Sequence, residues 1–314
     1  MELTVILPVY NGAKTLPEAL ASLREQDPGA PWEVVAVDDG STDGTLAILE
    51  AAAADFPAPM RVLTGPNGGP GAARNKGLSA AEGTFVTFLD ADDLYLPGAL
   101  NAMLTAAREH KADLVLFDAE TVSEDGVSVP FPTSDLPGGE MTARDALFAE
   151  PAPWSKLIRR RIFVDNPLRF PEGVWYEDLA MIPAVGAFAD RIWYEKTVLY
   201  RYRRTPGSIT HSGWSEKHMD VIAALDRLAR TVPQLYGEAE VLAFRHLYGT
   251  FVWQAWEAGD LDAIRRINAF MKEKFPGWEK EDLIRREPWK RRRAASLFYN
   301  EKFGLIRLWK GGAK

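Results

Sequence analysis

The sequence predicts an α/β fold: a mostly parallel sheet flanked by helices and followed by a C-terminal helical appendage. Up to Tyr202, short apolar runs alternate with segments of helical period, an order typical of right-handed βαβ units. After Trp214 the apolar residues keep a helical period. The chain has 314 residues, 46% of them hydrophobic, which is enough for sizeable cores and excludes disorder as the dominant state.

Short apolar runs rich in β-prone residues are predicted to be strands. They are Leu3 to Leu7, Glu33 to Val37, Arg61 to Leu63, Phe85 to Leu89, Asp113 to Phe117 and Ile192 to Tyr202. Helices are predicted over 13–26, 45–54, 74–81, 97–110, 142–148 and 154–163, and from Glu177 onward. The loop 65–71 has four glycines and two prolines and is predicted to hold no regular element, and 122–139 is predicted to form a hairpin or an excursion.

Three parts are predicted along the chain: the α/β domain over 1–213, a helical region over 214–284 and a basic amphipathic tail over 285–314. The net charge is −7, but the tail carries ten Lys or Arg against two Glu, which leaves −15 on the rest. Because its cations alternate with apolar residues from Leu297 to Trp309, one hypothesis is a helix lying on an anionic membrane. The alternative is a helix packed on its own protein. A nucleic-acid patch is disfavoured because the body is acidic.

The numbers of cysteines and histidines exclude several kinds of site. The chain has no cysteine, which excludes disulfides, thiolate zinc sites and thiol nucleophiles, and it has four histidines. No apolar run approaches the length of a membrane span, and the first residues lack the basic flank and cleavage site of a signal peptide. We therefore expect a cytoplasmic protein, peripheral on the inner face of the membrane under the tail hypothesis.

The stretch FVTFLDADD carries the strongest chemical signal. A predicted strand ends there in Asp90, Asp92 and Asp93. Two like charges about 4 Å apart repel by roughly 4 kcal/mol at an effective dielectric of about 20, so the cluster favours a bound cation. Mg²⁺ typically bridges one or two carboxylates to substrate phosphates. The alternative is an Asp-rich turn that caps the helix near Pro97.

Two other strands end in polar residues at the same edge. Tyr10 and Asn11 follow the first strand, and Asp39 lies in the turn DDGSTDG after the second. Ligands bind beyond the carboxyl ends of parallel strands, so together these residues predict an active site. Taken singly, Tyr10 also fits a packing residue and DDGSTDG a helix-capping turn. No GKS, GKT or GxGxxG stands at the right place, which disfavours P-loop and dinucleotide chemistry.

Two further residues are candidates for the site. Arg74, just after the glycine loop, is predicted to meet phosphate or ribose, or else to form a surface salt bridge. Asp178 follows Glu177 at a predicted helix start, beside Trp175 and Tyr176. An apolar wall raises the pKa of a carboxyl group toward that of a useful base. The alternative is an acidic first turn favoured by the helix dipole.

These segments, in this order, resemble family 2 glycosyltransferases of the GT-A fold. The matching pieces are VILPVYNGAKTLPEALASLREQ, EVVAVDDGSTDGT, PNGGPGAARNKGLSAAEGTFVTFLDADDLYLP, and YEDLAMIPAV with RYRRTPGSITHS, all within residues 3–211. Trp154 and Lys156 resemble the WxKL segment of many relatives, for which acceptor contact and packing both stay open. The residues after Thr210 match no piece of the family pattern.

The resemblance implies roles for individual residues in a catalytic domain over 1–213. Those implied to bind the nucleotide sugar are Pro8, Tyr10, Asn11, Asp39, Asn67, Arg74 and Asp90. Asp92 would bind the Mg²⁺ or Mn²⁺ that bridges the diphosphate, and His211 stands where some relatives place a late metal ligand. Asp178 would be the base that deprotonates the acceptor hydroxyl.

The resemblance also implies the reaction. It is an inverting, metal-dependent transfer of a sugar from a nucleotide donor, usually UDP-linked, to a glycan or polyol acceptor in cell-surface or extracellular polysaccharide synthesis. A sugar-1-phosphate nucleotidyltransferase would instead show a glycine-rich loop with a basic signature after the first strand, and PVYNGAKT does not match it. The remaining alternative is a catalytically inactive nucleotide-sugar-binding or membrane-associated scaffold.

Overall fold

The computed structural model describes residues 1–122, 126–203 and 213–311. The chain divides into two compact units, Met1–Ser212 and Gly213–Lys314. The first is built around a ten-stranded sheet and the second is helical. The fold class is therefore as predicted, whereas the assignment of separate roles to 214–284 and 285–314 stays a prediction.

The described strands belong to one mixed sheet. In chain order they are β1 Leu3–Val9, β2 Trp32–Asp38, β3 Met60–Thr64, β4 Phe85–Phe88, β5 Leu94–Tyr95, β6 Leu114–Val122, β7 Ser128–Phe131, β8 Gly139–Met141, β9 Lys156–Arg159 and β10 Ile192–Arg203. The spatial order is β3-β2-β1-β4-β9-β6-β10-β5, with β7 paired to β6 and β8 to β10. The hairpin predicted within 122–139 is thus present as β6 and β7, with 123–125 outside the described residues.

The helices of the first unit connect these strands. They are α1 Leu16–Arg24, α2 Thr45–Ala53, α3 Gly69–Ala80, α4 Ala99–Glu109, α5 Ala143–Phe148, α6 Arg161–Asp165 and α7 Glu177–Val185. The second unit contains α8 Asp220–Thr231, α9 Tyr236–His246, α10 Val252–Glu257, α11 Leu261–Lys274, α12 Asp282–Arg285, α13 Trp289–Tyr299 and α14 Phe303–Gly311, with a π-helical turn Leu247–Phe251 between α9 and α10.

Parallel pairing brings the ends of four strands to one edge of the sheet. β1 pairs in parallel with both β2 and β4, and β2 pairs in parallel with β3. Every residue of β1, β2 and β4 is buried, as expected for strands covered on both faces. The polar residues that follow β1, β2 and β4 therefore meet at the carboxyl edge.

The prediction of a helix over 154–163 is wrong. This segment contains β9, which pairs antiparallel with both β4 and β6. Leu157 and Ile158 are adjacent and both fully buried, and in a strand adjacent side chains point to opposite covered faces of the sheet. Arg159 then pairs with Asp113 at 2.5 Å, and α6 begins at Arg161.

The prediction that 65–71 holds no regular element is wrong at its end, because α3 begins at Gly69. Pro70 occupies the first turn of α3, where its missing amide hydrogen costs nothing. A Cβ on Gly71 would lie 2.2 Å from the carbonyl oxygen of Pro171, so glycine is required there for the two backbones to approach.

The basic tail is folded into the helical unit. Its apolar side chains Ala294, Ala295, Leu297, Phe298 and Ile306 are buried. The Phe298 ring contacts Trp253 edge-on at 4.9 Å between centroids, and its carbonyl accepts a hydrogen bond from Asn268 at 2.9 Å. For these residues the packed alternative holds, and the expectation that Leu297, Phe298 and Ile306 face a membrane is wrong.

Some apolar side chains of the tail remain exposed. They are Trp289, Leu305 and Leu308, at 62%, 50% and 73% exposure. Among the helices that the structure describes, none combines the length and the apolar character needed to cross a bilayer.

We expect Gly71→Ala to lower the free energy of unfolding by about 1–3 kcal/mol, because the added methyl group overlaps the Pro171 carbonyl and the backbone must shift. Urea denaturation followed by circular dichroism measures the change. Gly237→Ala is the control, since a Cβ there would meet no atom within 4 Å. Equal midpoints for the two variants would contradict the close approach.

Candidate active site

A cleft of about 690 Å³ opens at the carboxyl ends of β1, β2 and β4. The predicted site residues that line it are Pro8, Tyr10, Asn11, Asp39, Asn67, Arg74, Asp90 and Asp92. They come from the end of β1, from separate loops and from α3, and the parallel strands bring them together. Asp178 does not line this cleft, and His211 lies outside the described residues.

Hydrogen bonds of Asn11 join the loops that follow β1 and β2. Its backbone has a left-handed φ of 48°, which Asn adopts more readily than most residues. Its Oδ1 accepts from the Thr42 amide at 2.8 Å, and its own amide donates to Ser41 Oγ at 2.9 Å. The neighbouring Tyr10 is 53% exposed, so its ring is a wall of the cleft and not part of the core.

Asp39 holds the glycine loop against the end of β2. Its carboxylate is buried and accepts from the amides of Gly68 and Gly69 at 2.9 and 2.8 Å. Gly40 has a φ of +73°, and a Cβ there would lie 2.8 Å from the amide nitrogen of Asn67. Glycine is needed at this position for Asn67 to reach the cleft wall. A contact of Asp39 with a nucleotide base stays a prediction.

Arg74 is a buried cation between two acidic residues. Its Nη1 donates to Glu177 Oε1 at 2.6 Å and its Nη2 to Asp90 Oδ1 at 3.1 Å. The guanidinium also lies over the Phe170 ring, 5.6 Å from its centroid. Burial opposes the charge, but Asp90 and Glu177 outweigh it and raise the pKa of Arg74 above its ordinary value. The predicted surface salt bridge is therefore a buried one.

The acidic residues that follow β4 have different surroundings. Asp93 is fully buried, and its carboxylate accepts from the Tyr200 hydroxyl at 2.9 Å and the Arg203 amide at 2.8 Å. Burial, followed by the charges of Asp92 and Asp90, raises the pKa of Asp93 well above its usual range. The Arg203 side chain donates to the carbonyl of Asp92. Asp93 therefore fixes the turn, while Asp90 and Asp92 line the cleft.

Helix α7 presents Asp178 beside the Arg74 ion pairs. Tyr176, just before α7, has a left-handed φ of 64°, and Glu177 and Asp178 form the first turn as predicted. Asp178 Oδ1 accepts from the Leu179 amide at 2.7 Å. Burial, followed by the charge of Glu177, raises the pKa of Asp178 to about 7, although Arg74 acts to lower it. Such a pKa suits a general base near neutral pH.

Trp154 and Lys156 pack inside the unit. Lys156 is 2% exposed, and its Nζ donates to the carbonyls of Glu150 and Ala152 at 2.5 and 2.8 Å. Burial lowers the pKa of Lys156 to about 7. The Trp154 ring stacks on Tyr200 with 4.6 Å between centroids. Packing therefore accounts for both residues of the WxKL segment.

The residues present can share a divalent cation with a substrate but do not form a closed cage. Across 1–122, 126–203 and 213–311, no three His, Asp or Glu side chains are arranged to hold a metal ion. Asp90 and Asp92 line the cleft, and Asp90 is also paired with Arg74. Asp93 accepts a hydrogen bond from Tyr200. One or two carboxylates completed by substrate phosphates is the donor set that Mg²⁺ uses in many enzymes. The chemistry of the site fits a cation that binds together with a diphosphate.

Sequence reasoning missed two partners of the site residues. The sequence indicates Glu177 only as the neighbour of Asp178, yet Glu177 pairs with Arg74, which lies 103 positions earlier. The sequence predicts Tyr200 only as part of a strand, but its hydroxyl donates to Asp93 and also accepts from the Asp90 amide at 3.2 Å. No local pattern signals such long-range pairs, although two adjacent acids in one motif suggest a division of roles.

Comparison with known sequences gives consistent relatives. The family model described as "Glycosyl transferase family 2" matches residues 4–172. The chain is 36% identical over 173 residues to the poly(ribitol-phosphate) beta-N-acetylglucosaminyltransferase TarS of Staphylococcus aureus, a match that covers 55% of this chain and 30% of TarS. It is 30% identical over 261 residues to the succinoglycan biosynthesis protein ExoO of Rhizobium meliloti, covering 79% of this chain and 73% of ExoO. The chain thus spans a minor part of TarS and most of ExoO.

Solved structures share the fold. Residues 1–349 of S. aureus TarS, crystallised with UDP-GlcNAc, superpose with a TM-score of 0.73 at 24% identity, covering 97% of this chain and 92% of that one. A mannosyltransferase of Pyrobaculum calidifontis, in complex with GDP-mannose and Mn²⁺, superposes with a TM-score of 0.57 at 18% identity, covering 95% and 86%. These likenesses concern the fold, and they confirm the predicted GT-A architecture.

We expect Asp178→Asn to raise the melting temperature at pH 8. The pKa of Asp178 rises from 3.8 to about 7 on folding, so the folded state holds the proton more tightly than the unfolded state does. Ionisation of Asp178 as the pH rises therefore lowers the free energy of unfolding. The difference in melting temperature between the Asp178→Asn variant and the parent should grow between pH 3.8 and about 7 and then level off. Thermal denaturation across this range tests it against Asp165→Asn, a change at an exposed carboxylate. Parallel melting curves for both variants would refute the assignment.

Proposed function

This chain belongs to glycosyl transferase family 2, and we propose that it transfers a sugar from a nucleotide donor, a UDP-sugar, to an acceptor hydroxyl with inversion at C1. One observation carries the proposal: Arg74, which lines the cleft at the carboxyl edge, hydrogen-bonds Glu177, the residue next to the half-buried Asp178. A donor cleft and a base in one buried network are what a single displacement needs.

The cleft is proposed to hold the nucleotide sugar. The donor-binding residues would be Pro8, Tyr10, Asn11, Asp39, Asn67, Arg74 and Asp90. The volume of about 690 Å³ falls within the range of small-ligand sites, and the exposed Tyr10 ring offers a flat surface to a base. Asp90, at the end of β4, would face the ribose. The choice of UDP is supported by the relative TarS, which was crystallised with UDP-GlcNAc.

A divalent cation, Mn²⁺ or Mg²⁺, is proposed as the cofactor. Asp92 would hold it together with diphosphate oxygens, and His211 is proposed as a further ligand. When bound, the cation would neutralise charge that develops on the leaving diphosphate. Its support is the donor set of one or two carboxylates at the cleft and the Mn²⁺ found with the mannosyltransferase of the same fold.

Asp178 is proposed to take the proton of the acceptor hydroxyl. As the proton leaves, the acceptor oxygen forms a bond to C1 of the sugar, the bond from C1 to the phosphate oxygen breaks, and its electron pair goes to the nucleoside diphosphate. One in-line displacement inverts the configuration at C1. The pKa of about 7 allows Asp178 to be ionised in the resting enzyme and still accept a proton in the transition state.

Cell-surface or extracellular polysaccharide synthesis is proposed as the process, with a glycan or polyol acceptor. The proposal is supported by two relatives, one named for poly(ribitol-phosphate) and the other for succinoglycan biosynthesis. A panel of nucleotide sugars, screened for Mn²⁺-dependent hydrolysis, would identify the donor before the acceptor is sought.

We propose that the protein is cytoplasmic and that its tail attaches peripherally to anionic lipid. With Leu297 and Phe298 buried, the membrane-facing residues would be Trp289, Leu305 and Leu308 and the exposed cations around them. Lys290 and Arg293 lie beside Trp289 on the exposed side of α13. Aromatic residues flanked by Lys and Arg suit the interface of an anionic bilayer.

We expect Asp178→Asn to reduce turnover by about 10²- to 10⁴-fold while UDP binding is retained, because general-base assistance is lost. Asp92→Ala should instead weaken the Mn²⁺-dependent binding of UDP. Calorimetry with UDP and Mn²⁺ and a donor-hydrolysis assay measure the two effects, with Asp165→Asn as control. Transfer at the parent rate by both variants would refute the proposed site, and UDP binding without turnover in the parent protein would identify a scaffold.

We expect the full chain to sediment with phosphatidylglycerol vesicles and not with phosphatidylcholine vesicles. Lys290→Glu and Arg293→Glu should each weaken binding, since each lost cation costs roughly 1 kcal/mol, about five-fold. Point changes are preferred to deletion because the tail contributes Phe298 to the core. Lys111→Glu, an exposed change in the other unit, is the control. Equal sedimentation of all three variants would rule out this surface.

A further inference from the structure

The guanidinium of Arg74 connects two segments that the proposed reaction uses separately. Arg74 is 6% exposed and hydrogen-bonds Asp90, at the end of β4, and Glu177, the first residue of α7. Asp90 lines the cleft proposed for the donor, and Glu177 precedes the proposed base Asp178.

We propose that Arg74 is a positioning residue that fixes the base Asp178 relative to the donor cleft by holding Asp90 and Glu177 at once. This inference rests on the proposed function. It goes beyond donor binding, because Arg74 would act on the chemical step through α7. Arg74 is also proposed to bind the donor, so the positioning role is tested with a variant that keeps the charge for the nucleotide but loses the bridge, and whose main effect is expected on kcat.

The hydrogen-bond geometry favours a positioning role. Both terminal nitrogens of Arg74 are used by carboxylates, at 3.1 and 2.6 Å. Its buried Nε has no acceptor among the described residues. An unpaired buried donor costs free energy, so the two carboxylates determine the orientation of the guanidinium even at that cost. A planar group with several donors can hold two carboxylates at a fixed separation, which a single ammonium cannot do.

The charges around Asp178 explain why the positive charge of Arg74 also matters. Burial, followed by the charges of Glu177 and Glu150, raises the pKa of Asp178, and Arg74 acts to lower it. Lys156 is also within electrostatic range, but its own pKa of about 7 leaves it only partly charged near neutral pH. Arg74 is therefore the permanent positive charge of this group.

Kinetics of three variants test the inference. Arg74→Lys keeps the charge but loses the bridge, and a displaced base should lower kcat by about 10- to 100-fold with little change in the Kd for UDP and Mn²⁺. Glu177→Gln removes a negative charge beside Asp178, so the acidic limb of the pH–rate profile should move to lower pH. Arg74→Met removes the positive charge, so the limb should move to higher pH. A purely structural defect would not shift the profile in opposite directions.

A matched control separates positioning from general loss of an ion pair. Arg61→Lys alters another Arg–Glu pair, with Glu33 at 2.7 Å, away from the cleft, and should leave kcat unchanged. In the Asp178→Asn background, Arg74→Lys should lower kcat little further. If Arg74→Lys weakens UDP binding without lowering kcat, or if the pH profiles of Glu177→Gln and Arg74→Met coincide with the parent, the inference is overturned. Because Asp178→Asn alone tests the proposed base, failure of that assignment is seen separately.

Discussion

Compensation of negative charge is the constraint on which the cleft depends. Several carboxylates crowd the carboxyl edge of the sheet, and partners from distant segments hold them there. Backbone amides of the glycine loop bind Asp39, Tyr200 binds Asp93, and Arg74 binds Asp90. A buried carboxylate that loses its partner destabilises a protein strongly, so these contacts determine which loops can approach one another. The cleft is as much a product of these pairs as of the parallel strands.

Each acidic motif divides its work between neighbours. In the turn after β4, Asp93 is used by the fold, whereas Asp92 lines the cleft. At the start of α7, Glu177 is used by the ion pair with Arg74, and the adjacent Asp178 is left with a raised pKa. In both places one carboxylate holds the fold together, and its neighbour is the residue that the proposed reaction uses. This arrangement places Asp92 at the cleft and Asp178 beside the Arg74 ion pairs, while the neighbouring carboxylates hold the loops and α7 in place.

The sequence was most informative where the signal was local. Apolar runs located β1 to β4, and the polar residues after them gave most of the cleft, because parallel strands bring consecutive loops to one edge. The segment with β9 differs from the predicted helix because Leu157 and Ile158 fit a helix or a buried strand equally well, and only tertiary pairing decides between them. The contact of Arg74 with Glu177 spans 103 positions, and no pattern in either motif predicts it. The family resemblance placed residues in the site but gave no information about such pairs.

The antiparallel β9 has a consequence for synthesis of the chain. β4 is complete by Phe88, but its neighbour in the sheet, Lys156–Arg159, is made much later, and β6 likewise waits for β9 and β10. Until the ribosome has released those residues, the growing chain presents open backbone edges that other chains can pair with. The protein therefore completes its central sheet late and depends on long-range pairing, which slows folding and leaves nascent chains vulnerable to aggregation.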